Sequence, residues 1–104
     1  MRSSPSDRAG SEHEGEPGSL YVVATPIGNL ADLTARGAEA LRSARSVAAE
    51  DTRRTRPLLE RVGATGRLVR LDAHAKEAEI DRLVRELLGG SDVALVTDAG
   101  TPAI

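Results

Sequence analysis

Between residues 20 and 97, short apolar runs alternate with amphipathic segments, and few architectures accept that order. Leu20-Tyr21-Val22-Val23-Ala24, Ser46-Val47-Ala48-Ala49, residues 67–71 and Val93-Ala94-Leu95-Val96-Thr97 read as strands, each short and followed by turn-forming or polar residues. The last is apolar on successive positions, the pattern of a strand covered on both faces. Helices are expected between them. Residues 33–44 set Leu33, Gly37, Ala40, Leu41 and Ala44 on one face, with Asp32 as the expected N-cap. Residues 56–62 form a second helix, with Thr55 expected as N-cap, Pro57 in the first turn and Gly63 as the stop. In the third, Ile80, Leu83, Val84, Leu87 and Leu88 follow i, i+3, i+4, i+7, i+8 spacing up to Gly89-Gly90. This repetition predicts an α/β fold with a parallel sheet and right-handed crossovers.

A parallel sheet sorts its loops by edge. Residues 43–46, 63–66 and 89–92 fall at the edge where strands begin and carry ordinary connections. The edge where strands end collects Thr25-Pro26-Ile27-Gly28-Asn29, Glu50-Asp51-Thr52-Arg53, His74 and Asp98-Ala99-Gly100-Thr101-Pro102. Open α/β sheets bind their ligands at that edge. Each cluster also has a plainer reading. Pro26 fixes its own φ and biases Thr25 toward extended backbone, and Gly28 admits a positive φ or a close ligand, so this loop is either a turn or a binding wall. The Asp98–Pro102 loop carries the same alternatives. Glu50 and Asp51 can cap the next helix or accept hydrogen bonds from ribose hydroxyls. Arg53 is either a surface charge or a clamp for phosphate or carboxylate. His74, at a strand end, is either structural or part of a site.

Composition narrows the function classes. A length of 104 residues leaves room for one domain. In residues 1–19 only Met1 and Ala9 are apolar, so a disordered tail is expected rather than a signal peptide or anchor. No stretch approaches the ~20 apolar residues of a membrane span. With no cysteine, and His13 and His74 as the two histidines, neither a disulfide framework nor a metal site is expected. A cytoplasmic protein is the default. From Leu20 onward twelve Lys/Arg balance twelve Asp/Glu, so net charge announces no nucleic-acid partner. Arg53, Arg54, Arg56, Arg61, Arg67 and Arg70 nevertheless lie close in sequence. Tyr21 is the sole aromatic residue, which argues against a base-stacking platform.

The strand-end loops carry a family resemblance. Residues 20–34, from Leu20-Tyr21-Val22-Val23-Ala24 through Thr25-Pro26-Ile27-Gly28-Asn29 to Thr34, resemble the opening motif of the rRNA-modifying, small-subunit branch of the tetrapyrrole methylase family. Ala49-Glu50-Asp51-Thr52-Arg53 is similar to its second motif and Thr97-Asp98-Ala99-Gly100-Thr101-Pro102 to its third, in matching order over residues 20–104. The resemblance implies the N-terminal α/β domain of a two-domain methyltransferase, stopping before its last helix and strand. It implies transfer of a methyl group from S-adenosylmethionine to the ribose 2′-oxygen of a cytidine in 16S rRNA, within the small ribosomal subunit, by a homodimer. By motif, Pro26, Gly28, Asn29, Asp98, Ala99, Gly100, Thr101 and Pro102 would line the cofactor cleft. Glu50, Asp51 and Arg53 would handle protons or position substrate, and Thr52 and His74 would contact it. Relatives commonly continue with Asn-Glu after this histidine, whereas His74 is followed by Ala75 and Lys76. The 104 residues alone are expected to transfer no methyl group. The alternatives are a methylase of tetrapyrroles or another small molecule, and a non-catalytic nucleotide-binding module.

Overall fold

The computed structural model describes residues 16–25, 33–72 and 77–98. The elements alternate as expected: β1 (Leu20–Thr25), α1 (Ala35–Ser43), β2 (Ser46–Ala49), α2 (Thr52–Val62), β3 (Arg67–Arg70), α3 (Glu77–Leu88) and β4 (Val93–Asp98). All strand pairs are parallel, in the order β1-β4-β2-β3. β4 is therefore internal, flanked by β1 from Leu20↔Val93 to Thr25↔Asp98 and by β2 from Ser46↔Val93 to Ala49↔Val96.

Alternation along each strand divides the core into two layers. On one face Val23, Val47, Ala49, Ala94 and Val96 pack against Ala40, Leu41 and Ala44 of the first helical segment and Leu58 and Leu59 of α2. On the other, Ala48, Val69 and Val93 meet Leu83 of α3. The small side chains of Ser46-Val47-Ala48-Ala49, every one buried, let helices approach β2 closely from either side. Among the described residues three buried side-chain atoms make no hydrogen bond: Ser46 Oγ, Arg67 Nη2 and Glu86 Oε1.

Helix starts differ from the sequence expectation. Residue 33 is outside α1, and Thr34 rather than Asp32 is the cap, its Oγ1 accepting from the Gly37 amide at 3.0 Å. Asp32 lies outside the described residues. α2 begins at Thr52, one turn earlier than residue 56, because Asp51 caps it: Oδ1 accepts from the Arg54 amide at 3.1 Å. Thr55 is not the cap but a buried residue inside the helix, donating its hydroxyl back to the Asp51 carbonyl at 2.8 Å. Pro57 then stands well inside α2, where its missing N–H removes the bond to the Arg53 carbonyl. Gly63 stops the helix as expected, at φ 78°, where a side chain would be strained. Gly66 is required by space instead: a Cβ there would sit 2.6 Å from the Ala44 carbonyl oxygen.

The third helix is present, yet it buries a narrower face than its periodicity implies. Leu83 is buried and Leu87 half-buried, while Ile80, Val84 and Leu88 are exposed. Arg67 at the start of β3 pairs with Glu79 at 3.4 Å and Glu86 at 3.5 Å, so that acidic flank of α3 lies over β3. Ile80, Val84 and Leu88 stay open on the helix, and on β1 Leu20 and Val22 are also exposed. The chain is already tied to the fold ahead of β1: Gly18 donates to the Leu87 carbonyl at 2.7 Å and Ser19 to Asp92 Oδ1 at 2.8 Å.

Candidate functional site

The pairing brings the ends of the strands together along one edge, in the spatial order Thr25, Asp98, Ala49 and Arg70. The internal place of β4 matters most here. It sets the first and third motif loops on neighbouring strands, with Thr25 directly opposite Asp98, and the second motif on the next strand over. Thr25 fastens the first pair by donating its hydroxyl to the Thr97 carbonyl at 3.3 Å. Loops separated by about seventy positions in the chain thus start from one register line. Pro26, Gly28, Asn29, His74, Ala99, Gly100, Thr101 and Pro102 lie outside the described residues, so the structure reaches the rim of these loops at Thr25, Asp72 and Asp98.

At the end of β2 the two carboxylates divide. Asp51 is committed to the backbone: it caps α2, and its Oδ2 lies 3.9 Å from Arg54 Nε. Glu50 is exposed and makes no hydrogen bond or ion pair among the described residues. Thr52 opens α2 and is half-buried, whereas Arg53 is exposed on the same first turn. The capping role of Asp51 was open to sequence reasoning, since Asp is among the strongest N-caps. Pro57 obscured it by suggesting a later helix start.

The connections leaving β2 and β3 run to opposite faces, α2 joining the layer with α1 and α3 the other layer. Adjacent strands whose connections diverge in this way open a crevice at their carboxyl ends. Glu50, Asp51, Leu71 and Asp72 stand around that opening. The opposite edge is built differently. There, main-chain bonds from Arg45 to Asp92 (2.8 Å) and from Arg67 to Arg45 (3.0 Å) lock the strand starts together. Among the described residues no group of three or more His, Asp or Glu side chains could hold a metal ion, and no helix is long and apolar enough to cross a membrane.

This parallel-sheet chain belongs to the tetrapyrrole methylase family. The profile of Tetrapyrrole (Corrin/Porphyrin) Methylases matches residues 19–104. Within the family, its relatives include proteins named ribosomal RNA small subunit methyltransferase I. That of Xylella fastidiosa (strain Temecula1) is 48% identical over 88 residues, covering 85% of this chain and 32% of the relative. That of Escherichia coli O157:H7 is 48% identical over 87 residues (84% and 30%), and one from Neisseria meningitidis serogroup A is 51% identical over 87 residues (84% and 30%). The chain spans about a third of the length of these curated relatives.

Proposed function

We propose that the intact gene product is an S-adenosylmethionine-dependent methyltransferase acting on the ribose 2′-oxygen of a cytidine in 16S rRNA. The observation that carries this reading is the convergence of three strand ends, β1, β4 and β2, on one edge of the sheet in a chain whose relatives bear that enzyme's name. The reading goes with a cytoplasmic location, the small ribosomal subunit as partner and a homodimeric assembly. Residues 20–104 serve it as the first α/β domain, which needs further chain for activity, and Gly18 and Ser19 of the preceding segment are bonded to that domain.

The groups present suit the cofactor. At the ends of β1 and β4 the Thr25 hydroxyl donates to the Thr97 carbonyl and Asp98 is the register partner of Thr25, and oxygens of these kinds match an ammonium group and ribose hydroxyls. When bound, S-adenosylmethionine supplies a methyl group already activated on a sulfonium. Pro26, Gly28, Asn29 and the 98–102 loop would hold it, the two glycines by allowing close approach to the main chain. Activation then leaves the protein two tasks, positioning and removal of the hydroxyl proton. Glu50 is the carboxylate free to accept that proton, because Asp51 is occupied in holding α2. Arg53, projecting from the turn that Asp51 fixes, would orient a phosphate next to the reacting ribose. Thr52 and His74 would contact the substrate beside them.

The test is mass spectrometry of 16S rRNA from cells lacking the gene. One cytidine is expected to lose its ribose methyl, and to regain it on complementation. An unchanged pattern would sink the proposal.

A further inference from the structure

The six arginines that cluster in sequence do not cluster in space. Arg67 is drawn to the strand-start edge, where Glu79 and Glu86 neutralise it, and Arg61 lies in the last turn of α2 at that same end. Arg53, Arg54 and Arg56 occupy the first turns of α2 at the opposite, strand-end edge, and all three are exposed. Arg70 ends β3 at that edge, on the α2 side of the sheet because its i−2 neighbour Leu68 packs into the α2 layer. Two of these four charges have partners: Arg70 pairs with Asp72 at 2.8 Å and Arg54 lies near Asp51 at 3.9 Å. Arg53 and Arg56 pair with no carboxylate among the described residues, although Glu50, Asp98 and Glu77 stand at the same edge.

This arrangement is costly for the helix. Past the Asp51 cap the first turn of α2 holds no acidic residue, and the positive end of the macrodipole meets guanidinium groups there. Positive charge is disfavoured at that end of a helix, and Arg53 and Arg56, at i, i+3 spacing, also repel one another. A helix shaped by stability alone would carry acid at these positions. The geometry points to an anionic partner: Arg53 and Arg56 form a phosphate-binding face for single-stranded RNA, set at the mouth of the site described above. The inference rests on the methyl-transfer reading for its substrate and adds the surface and the mode of contact. With Tyr21 the chain's one aromatic residue, base stacking has little to offer here, so the hold is electrostatic and governed by salt.

The experiment measures binding of the intact gene product to a fluorescein-labelled single-stranded RNA from 16S rRNA across a salt series. Each phosphate contact to a single strand contributes about −0.7 to the slope of log K against log salt. The Arg53→Ala/Arg56→Ala variant is expected to flatten the slope by about 1.4 and to weaken binding several-fold at low salt. It is expected to melt no lower than wild type, since alanine is a better helix former and removes the repulsion. Arg61→Ala, at the far end of α2, leaves slope and affinity unchanged. An unaltered slope in the double variant, or an equal change in Arg61→Ala, overturns the proposed face. If the rRNA still loses its ribose methyl in gene-deleted cells, methyl transfer stands while this surface falls.

Discussion

Glu50 and Asp51 are adjacent and chemically alike, and the structure assigns them different work that stability measurements can separate. Asp51→Ala removes the acceptor for the Arg54 amide at 3.1 Å and leaves that N–H to solvent at the start of α2. Loss of an Asp cap costs about 1 kcal/mol. The Asp51–Arg54 contact adds little, because its groups lie 3.9 Å apart and are 57% and 61% exposed. With a urea m-value of about 1.5 kcal/mol/M for a chain of this size, the midpoint is expected to fall by about 0.7 M. Asp51→Asn keeps a side-chain oxygen that caps almost as well, so its midpoint stays near wild type. Glu50→Ala touches no hydrogen bond among the described residues and is expected within about 0.5 kcal/mol of wild type. The assay is urea unfolding followed by far-ultraviolet circular dichroism. Equal losses for Glu50→Ala and Asp51→Ala, or for Asp51→Asn and Asp51→Ala, would refute the division of labour.

Further expectations follow from packing. Leu41 is fully buried between α1 and the sheet, so Leu41→Ala is expected to cost about 2–5 kcal/mol and abolish a cooperative thermal transition. Gly66→Ala drives a Cβ to within 2.6 Å of the Ala44 carbonyl oxygen and 2.9 Å of that of Arg45, whereas Gly63→Ala meets nothing within 4 Å and strains only its φ of 78°. Gly66→Ala is therefore expected to lower the melting temperature further; the reverse order would contradict the close approach. The apolar groups left open on β1 and α3 are expected to drive self-association of the isolated chain. Val22→Lys with Val84→Glu should reduce it in sedimentation velocity, and an unchanged distribution would contradict that assignment.

The alternation of strands and helices was legible because each segment announces itself locally, and Ser46-Val47-Ala48-Ala49 is a strand in the sequence reading and in the structure. Helix starts were less legible, since competing caps stand side by side. Thr34 displaces Asp32, and Asp51 displaces Thr55 because Pro57 stands one turn deeper in α2 than a first-turn proline would. Periodicity in α3 reported an apolar stripe correctly but could not say what covers it, and Ile80, Val84 and Leu88 remain exposed. The order β1-β4-β2-β3 was beyond local reasoning, as it depends on pairings between distant residues. For the site, strand direction alone sorted the polar loops to one edge. Which strands neighbour one another, the tie from Thr25 to Thr97 and the separation of the arginines needed the fold, whereas a cap from Glu50 or Asp51 is among the sequence readings and the fold selects Asp51.

The central claim is that methyl donor and RNA meet at the strand-end edge, and hydrogen–deuterium exchange of the intact gene product tests it most directly. With S-adenosylmethionine and small ribosomal subunits added together, amides of residues 25–29, 50–56 and 97–102 are expected to gain protection. Those of residues 43–46, 63–66 and 89–92, at the opposite edge, are expected to exchange as before. Protection centred on that opposite edge, or none at either, would contradict the account.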